Sequence, residues 1–148
     1  MRKQDEHYMK LAYNLALRAA AAGEVPVGAL IVGADGEILA RGSNRVERAG
    51  NATLHAEMVA LARACRYTNE KYLMDATIYV TLEPCPMCMA ALSHVKIARV
   101  VYGAADEKAG GAWLLPRLLW RPEVEGGVMA KECGALMTEF FRVIRARK

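Results

Sequence analysis

Two short motifs constrain the fold of this chain more than any other feature: His55-Ala56-Glu57 and Pro84-Cys85-Pro86-Met87-Cys88. Together they offer an imidazole, two thiols and a carboxylate, which are ligand types that Zn²⁺ prefers. Residues three apart lie on one face of a helix, so Cys85 and Cys88 are able to bind the same ion. For His55 to reach that ion as well, the starts of two separate helices must face each other.

The number of available ligands separates a structural metal site from a catalytic one. A structural zinc site is closed by four protein ligands, whereas a catalytic site uses three and keeps one position open. The candidates for a fourth ligand do not stand in a paired metal-binding spacing: Cys65, Cys133, His7 and His94. Glu57 is two residues from His55 and would be a cramped co-ligand. We therefore predict three ligands, His55, Cys85 and Cys88, with Glu57 moving protons beside an activated water.

The composition is that of a globular protein with reduced cysteines. Of the 148 residues, 54% are hydrophobic and 24% are charged, which suits one compact domain over residues 1–148 and excludes a disordered chain. No stretch approaches the roughly 18 apolar residues of a membrane span, and no signal core follows the N-terminus. The four cysteines then favour a reducing cytosol. The net charge of +4 permits a nucleic-acid partner without requiring one.

Hydrophobic periodicity and turn residues predict that helices and strands alternate along the chain. In chain order, the predicted elements are a helix over 8–19, a hairpin of strands 25–32 and 37–40, a loop over 42–51, a helix over 55–66, a strand over 76–82, a helix over 86–95, a strand over 98–103, a loop over 108–111, a short helix over 113–120, a short strand over 124–129 and a helix over 130–147. This alternation indicates an α/β layered fold with at least some parallel strand pairing.

At these residues the chain resembles the zinc-dependent cytidine/adenosine deaminase superfamily, whose signature is H-x-E followed by P-C-x-x-C. Within that superfamily it is similar to the bacterial tRNA adenosine deaminase branch over nearly its whole length. The stretches that carry the resemblance are Glu24–Ala29, Asn44-Arg45, His55-Ala56-Glu57, Thr81–Cys85, Arg99–Ala104, Glu132-Cys133 and Phe140-Phe141-Arg142.

The resemblance implies a three-layer α/β/α fold with a mixed five-stranded sheet, a cytoplasmic homodimer and one zinc ion per subunit. The implied activity is hydrolytic deamination of adenosine to inosine at the wobble position of a tRNA anticodon. The implied site residues are the zinc ligands His55, Cys85 and Cys88, the proton shuttle Glu57, and the substrate contacts Asn44, Ala56, Asp106 and Phe141.

The segment 105–128 departs from the family pattern, because it is shorter and more apolar and lacks an Asn-His-Arg stretch. One interpretation is an altered pocket for a smaller substrate or another base. The other is ordinary loop variation, with its tryptophans and leucines in the core or in a dimer contact. Two rival functions follow: deamination of a free nucleobase or nucleoside such as guanine, cytosine or cytidine, and a zinc-stabilised RNA-binding module without activity.

Four other residues have roles that the sequence leaves open or assigns to structure. Asn44 could bind substrate or stabilise a turn. Glu83, next to the ligand motif, is predicted to accept hydrogen bonds from loop backbone. Cys65 and Cys133 are predicted to be small buried apolar residues. The two helix starts are expected to lower the pKa of the ligand thiols.

Overall fold

A computed structural model describes residues 2–147. In chain order its elements are α1 (Asp5–Ala21), β1 (Gly28–Val32), β2 (Ile38–Ser43), α2 (Val46–Ala49), α3 (Ala56–Thr68), β3 (Thr77–Leu82), α4 (Pro86–His94), β4 (Arg99–Ala104), a 3₁₀ helix (Ala112–Arg117), β5 (Glu123–Glu125) and α5 (Ala130–Ala146). No helix within residues 2–147 is both long enough and apolar enough to cross a membrane.

The five strands form one mixed sheet in the order β2-β1-β3-β4-β5. The β1 strand pairs antiparallel with both β2 and β3, whereas β3 with β4 and β4 with β5 are parallel. Helices α1 and α5 pack on one face of the sheet, and α3 and α4 pack on the other. The predicted three-layer α/β/α fold with a mixed five-stranded sheet is confirmed.

Burial on both faces explains why the central strand β1 is apolar throughout. All five residues of β1 are buried. Because side chains alternate along a strand, Ala29 and Ile31 join the core beneath α3 and α4, whereas Leu30 and Val32 join the core beneath α1. Burying each of the larger aliphatic side chains contributes roughly 1.5–3 kcal/mol. The sheet is therefore a rigid base for the chain segments that leave its ends.

Gly42 in β2 sets the position of α3. A Cβ atom at this residue would lie 2.5 Å from the carbonyl oxygen of Ala56 and 2.8 Å from the amide nitrogen of Ala60. Any larger residue would therefore push the start of α3 away from the sheet. That start carries the His55-Ala56-Glu57 motif, so the glycine brings the motif close to the strands.

The predicted loop over 42–51 is wrong in part. Strand β2 continues to Ser43, and residues 46–49 form the short helix α2. The first amides of α2 donate hydrogen bonds to the Glu24 carboxylate, from Glu47 N at 3.0 Å and Arg48 N at 2.8 Å. The acceptor comes from a distant part of the chain, so a local pattern does not reveal this helix.

Two boundaries near the C-terminal end also differ from the prediction. The predicted strand 124–129 is shorter and earlier, at Glu123–Glu125, because Gly126-Gly127 turns the chain and Gly127 has φ of +95°. The predicted helix 113–120 is a 3₁₀ helix over Ala112–Arg117 that contains Pro116. Proline cannot donate the hydrogen bond that a longer α-helix needs.

A buried ion pair lies where β3 and β4 begin, opposite the end that leads to Cys85. Arg99 donates two hydrogen bonds to the Asp5 carboxylate, each 2.7 Å long, and Tyr79 Oη donates a third at 2.9 Å. Arg99 Nε lies 2.8 Å from Glu123 Oε2 but lacks hydrogen-bond geometry, so that contact is electrostatic only. Burial tends to raise the pKa of Asp5, but the hydrogen bonds from Arg99, from the backbone N–H of Arg2 at 2.9 Å and from Tyr79 outweigh it and lower the pKa to about 2. No local pattern in the sequence indicates this pair.

Candidate metal centre and cleft

The structure brings His55, Cys85 and Cys88 together at the starts of α3 and α4. One ligand atom from each residue lies within 4.8 Å of the other two, and His55 Nδ1 is 3.6 Å from both Sγ atoms. Tetrahedral zinc, with bonds of about 2.0 Å to nitrogen and 2.3 Å to sulfur, separates the two kinds of ligand atom by about 3.6 Å. The residues present therefore fit a zinc ion with three protein ligands.

Two prolines shape the turn that carries the cysteines. Strand β3 ends at Leu82, and Pro84 and Pro86 restrict the chain that follows. Cys85 between them is extended, with ψ of 169°, and caps α4. Pro86 occupies the first helical position, where the missing N–H would have no partner within the helix. Cys88 then lies one turn into α4 and completes the pair.

The other candidate ligands do not join this group. Within residues 2–147, no second cluster of three or more His, Cys, Asp or Glu residues has metal-binding geometry. Cys133 is buried and Cys65 half-buried, and both pack against the apolar core, as predicted. His94 is exposed at the end of α4. The fourth ligand that a structural zinc site needs is not supplied by the described residues.

Glu57 lies beside the three ligands and is not exposed. Its side chain enters α3 in the first turn, and the whole residue is 4% exposed. Burial raises its pKa to about 7, although hydrogen bonds from its own backbone N–H and from Cys88 act in the opposite direction. A carboxyl with a pKa near neutrality exchanges protons readily.

The expectation that helix starts lower the thiol pKa values is wrong for Cys88. Burial raises its pKa, and the neighbouring Glu57 and Cys85 raise it further. Burial also lowers the pKa of His55. Desolvation therefore outweighs the helix dipole here and favours uncharged side chains. A divalent cation reverses this preference for cysteine, because its charge stabilises thiolates.

A cleft of about 1170 Å³ opens beside the metal site. Its floor contains His55, Glu57 and Cys85. One wall is formed by the chain around Asn44 and Glu24, the opposite wall by residues 105–109, and the rim by α5, including Phe141. Two of the three predicted ligands, the predicted proton shuttle and three of the four predicted substrate contacts thus line one cavity, and the third ligand, Cys88, is buried behind it.

The Asn44 side chain makes a hydrogen bond within the protein and also borders the cleft. It is 7% exposed, and its Oδ1 accepts the backbone N–H of Ala56 at 2.8 Å. This bond satisfies one of the free amides at the start of α3. Its Nδ2 has no hydrogen-bond partner among residues 2–147 and lies on the cleft wall. The structure thus shows that Asn44 stabilises the backbone, whereas its contact with substrate stays a prediction.

The remaining predicted contacts differ in their access to the cleft. Ala56 has no exposed surface and donates its N–H to Asn44, so it does not line the cavity. Asp106 is half-buried on the cleft wall, where its Oδ1 accepts the amides of Lys108 and Ala109. Phe141 is 40% exposed at the rim and stacks edge-on against Phe140. Contact of these residues with substrate stays a prediction.

Sequence reasoning missed Glu24, which anchors the Asn44 wall. It is 1% exposed and accepts two backbone amides of α2 together with Arg48 Nε at 3.2 Å. Arg48 also donates to the carbonyl oxygen of Asn44 at 3.0 Å. Burial tends to raise the pKa of Glu24, but these hydrogen bonds lower it overall. The signal in the sequence is one acid directly before the uncharged run 25–34.

The unusual segment 105–128 divides into two parts with different surroundings. Residues 105–109 line the cleft, whereas the apolar residues 112–120 do not. Leu114 and Leu118 pack against the core, as the loop-variation interpretation predicts. Trp113 is 67% exposed and Leu119 is fully exposed, so the core does not account for them.

Residues 2–104 match the family model for the cytidine and deoxycytidylate deaminase zinc-binding region. The chain belongs to this family. The deaminase family explains the three ligands, the open position and the buried carboxylate together, since its members use zinc to remove an amine from a ring by hydrolysis. The match ends with β4, directly before the 105–109 wall.

Known relatives of this deaminase include tRNA-modifying proteins. It is 43% identical to the tRNA-specific adenosine deaminase of Bacillus subtilis, over 98% of this chain and 93% of that protein. It is 47% identical to the tRNA(Ile)-lysidine synthase of Deinococcus radiodurans over 92% of this chain, but spans only 24% of that protein. A solved structure described for A-to-I editing by tRNA:A34 deaminases superposes with a TM-score of 0.83 at 38% identity, covering 88% of this chain and 98% of that chain.

Proposed function

We propose that this deaminase converts adenosine to inosine at the wobble position of a tRNA anticodon. The observation that carries the proposal is the size of the cleft beside Glu57. Its volume of about 1170 Å³ exceeds the roughly 300–1000 Å³ that suits a small molecule. A single base next to Glu57 leaves room for its neighbouring nucleotides. Relatives named for tRNA support the same substrate class.

Phe141 supports an unpaired RNA substrate. It is an exposed aromatic side chain at the rim of the cleft, and bases of single-stranded RNA stack on such side chains. A base in an anticodon loop is also easier to unstack than one in a duplex. We assign Phe141 to a nucleotide that flanks the target adenosine.

The chemistry needs a nucleophile and a proton carrier. Zinc held by His55, Cys85 and Cys88 would act as a Lewis acid that makes water a better nucleophile near neutral pH. Glu57 takes the proton of the attacking water and delivers it to N1 of the purine. It then takes the second proton of that water and delivers it to the departing amine, so that ammonia leaves and a C6 carbonyl remains.

Two other predicted residues orient the base. The free Nδ2 of Asn44 is the donor that we assign to the substrate base, because its Oδ1 is already occupied by Ala56. Ala56 contributes through this backbone contact, which fixes the asparagine. Asp106 orders the loop of the opposite wall, where it would lie near the nucleotide backbone.

We propose that residues 1–148 act as one domain, as a homodimer and in the cytoplasm. The exposed Trp113 and Leu119 supply apolar surface for contact between copies. Sedimentation measurements at several protein concentrations test the dimer. A single monomeric species at micromolar concentration would contradict it.

The test of function uses the zinc-loaded chain and an anticodon stem-loop with adenosine at the wobble position. We expect inosine by mass spectrometry, and none when the adenosine is moved by one nucleotide. The matched control is Glu57→Gln, which keeps the shape of the side chain but cannot carry the proton. Ammonia from free guanine, cytosine or cytidine without any inosine would favour the free-base alternative. Binding of the stem-loop without turnover would favour the RNA-binding module.

A further inference from the structure

Glu83 attaches the 105–109 wall to the turn that carries the zinc ligands. Its Oε1 accepts the backbone N–H of Asp106 at 3.1 Å, and its Oε2 accepts that of Ala112 at 3.0 Å. These two amides stand at the two ends of the loop 106–112. The carboxylate therefore holds the loop at both ends, and we refer to this pair of hydrogen bonds as the Glu83 latch.

Backbone contacts bring the same two segments together. Glu83 N donates to the Ala104 carbonyl at 2.8 Å, and Gly111 N donates to the Pro84 carbonyl at 2.7 Å. The ligand Cys85 directly follows Pro84. The loop and the metal-ligand turn are thus joined on both sides of the carboxylate, and a shift of one moves the other.

Two glycines allow this close approach. A Cβ atom at Gly110 would overlap the Glu83 carboxylate, and one at Gly111 would lie 2.6 Å from the carbonyl carbon of Cys85. A side chain at either position would push the loop outward. The sequence Gly110-Gly111 thus fits a loop that lies directly on the ligand turn.

The latch acts on residues that face the cleft. Asp106, Lys108 and Ala109 line the cavity, and the Asp106 side chain organises the other two through their amides. Glu83 itself also borders the cavity, but both of its carboxylate oxygens accept backbone hydrogen bonds and are committed to the loop. We therefore expect its effect on a substrate to be transmitted through the wall.

We propose that Glu83 is a positioning residue that sets the distance between the zinc site and the 105–109 wall, and thereby the fit of the nucleotide. The kinetic part of this inference rests on the proposed function, whereas the structural part does not. The wall lies beyond residue 104, where the family match ends, so one carboxylate from the matched region holds a part of the pocket that lies outside that region.

The test compares Glu83→Gln and Glu83→Ala with Glu70→Gln, a matched substitution of an exposed carboxylate in the turn after α3. Hydrogen exchange read by mass spectrometry follows the amides of 106 and 112, and zinc content is measured for each variant. We expect these amides to exchange at least about tenfold faster in both Glu83 variants, more so in Glu83→Ala, with one zinc retained. Glu70→Gln should not change exchange there.

The kinetic arm uses the anticodon stem-loop. Displacement of the 105–109 wall weakens contacts with parts of the substrate that lie away from the reacting atoms. We therefore expect KM to rise about tenfold and kcat to change less than threefold. Gly110→Ala perturbs the same contact from the loop side and should reproduce both the exchange and the KM effects. It also supplies the readout if Glu83→Ala does not fold.

Four outcomes overturn the proposal. Unchanged exchange at 106 and 112 means that no latch exists, and loss of zinc means that Glu83 supports the ligands instead. A fall in kcat without a change in KM assigns Glu83 to the chemical step. An unchanged KM in the Glu83 and Gly110 variants means that Glu83 does not affect the fit of the substrate. A wild-type chain that does not act on the stem-loop contradicts the proposed function, while the exchange measurement still decides whether the latch exists.

Discussion

The two ends of the sheet each bury a carboxylate, and the two have opposite pKa displacements. Asp5, at the start of the parallel strands, has a pKa of about 2, whereas Glu57, at the cleft end, has a pKa of about 7. Both are almost fully shielded from solvent. The difference comes from their partners, because Asp5 accepts two hydrogen bonds from Arg99, whereas no cationic side chain among residues 2–147 pairs with Glu57.

This contrast separates stability from chemistry within one fold. A buried carboxylate with a matched guanidinium remains charged and ties α1 to β4. A buried carboxylate without a cationic partner has a raised pKa, and such a displaced pKa is typical of reactive positions. Zinc in the cleft would add a positive charge and bring the pKa of Glu57 down.

Glu57→Gln should abolish most activity without loss of the metal. A glutamine has nearly the same shape but cannot shuttle protons, and general acid–base catalysis contributes roughly 10²–10⁴-fold to rates. We expect kcat on the stem-loop to fall about 10³-fold while zinc content and thermal stability are retained. A kcat within tenfold of the wild type would remove Glu57 from the reaction.

Asp5→Asn should have its main effect on stability. It removes the buried carboxylate that accepts two hydrogen bonds from Arg99 and leaves the guanidinium only its more exposed partners Glu123 and Glu125, which costs about 2–3 kcal/mol. Urea denaturation measures this change, and kcat at a temperature where the variant is folded should match the wild type. The exposed Asp75→Asn, on the same side of the molecule, is the control and should stay within about 0.5 kcal/mol.

Acid should remove the Asp5 contribution. Because the pKa is lowered from 3.8 to about 2 in the folded state, the stabilisation is complete above pH 3.8 and is lost as the pH falls through about 2. The displacement corresponds to about 2 kcal/mol. Denaturation of the wild type and of Asp5→Asn across pH 2–6 should give curves that converge in acid. A constant gap between the curves would contradict the assignment.

Trp113→Ser should have the smallest effect on the stability of a single subunit. Its side chain is largely exposed and lies outside the cleft, and surface substitutions usually change stability by less than about 0.5 kcal/mol. Thermal denaturation at a low protein concentration, where copies separate, checks this. At a higher concentration the proposed contact between copies should add a further loss, and an equal difference from the wild type at both concentrations would remove Trp113 from that contact.

The alternation of helices and strands and the metal ligands were predictable because each leaves a local pattern. Short stretches of sequence are enough to recognise the Cys85–Cys88 spacing, the flanking prolines and the apolar stripe of α1. The Glu24 anchor and the Asp5–Arg99 pair were not predictable, because their partners are 24 and 94 residues apart along the chain. The close contact between Gly110 and Glu83 was also not predictable, since a glycine in a sequence does not indicate which residue packs against it.

The donor set, the carboxylate beside it and the layered α/β fold follow from the sequence alone, since they depend on residue types at short spacings. Which buried acid has a raised pKa and which a lowered one became apparent only in the folded structure. Desolvation and the placement of a guanidinium are properties of the folded surroundings. The tertiary structure also showed which loop Glu83 holds, namely the one that forms the 105–109 wall, because that contact exists only once β3 and β4 lie side by side.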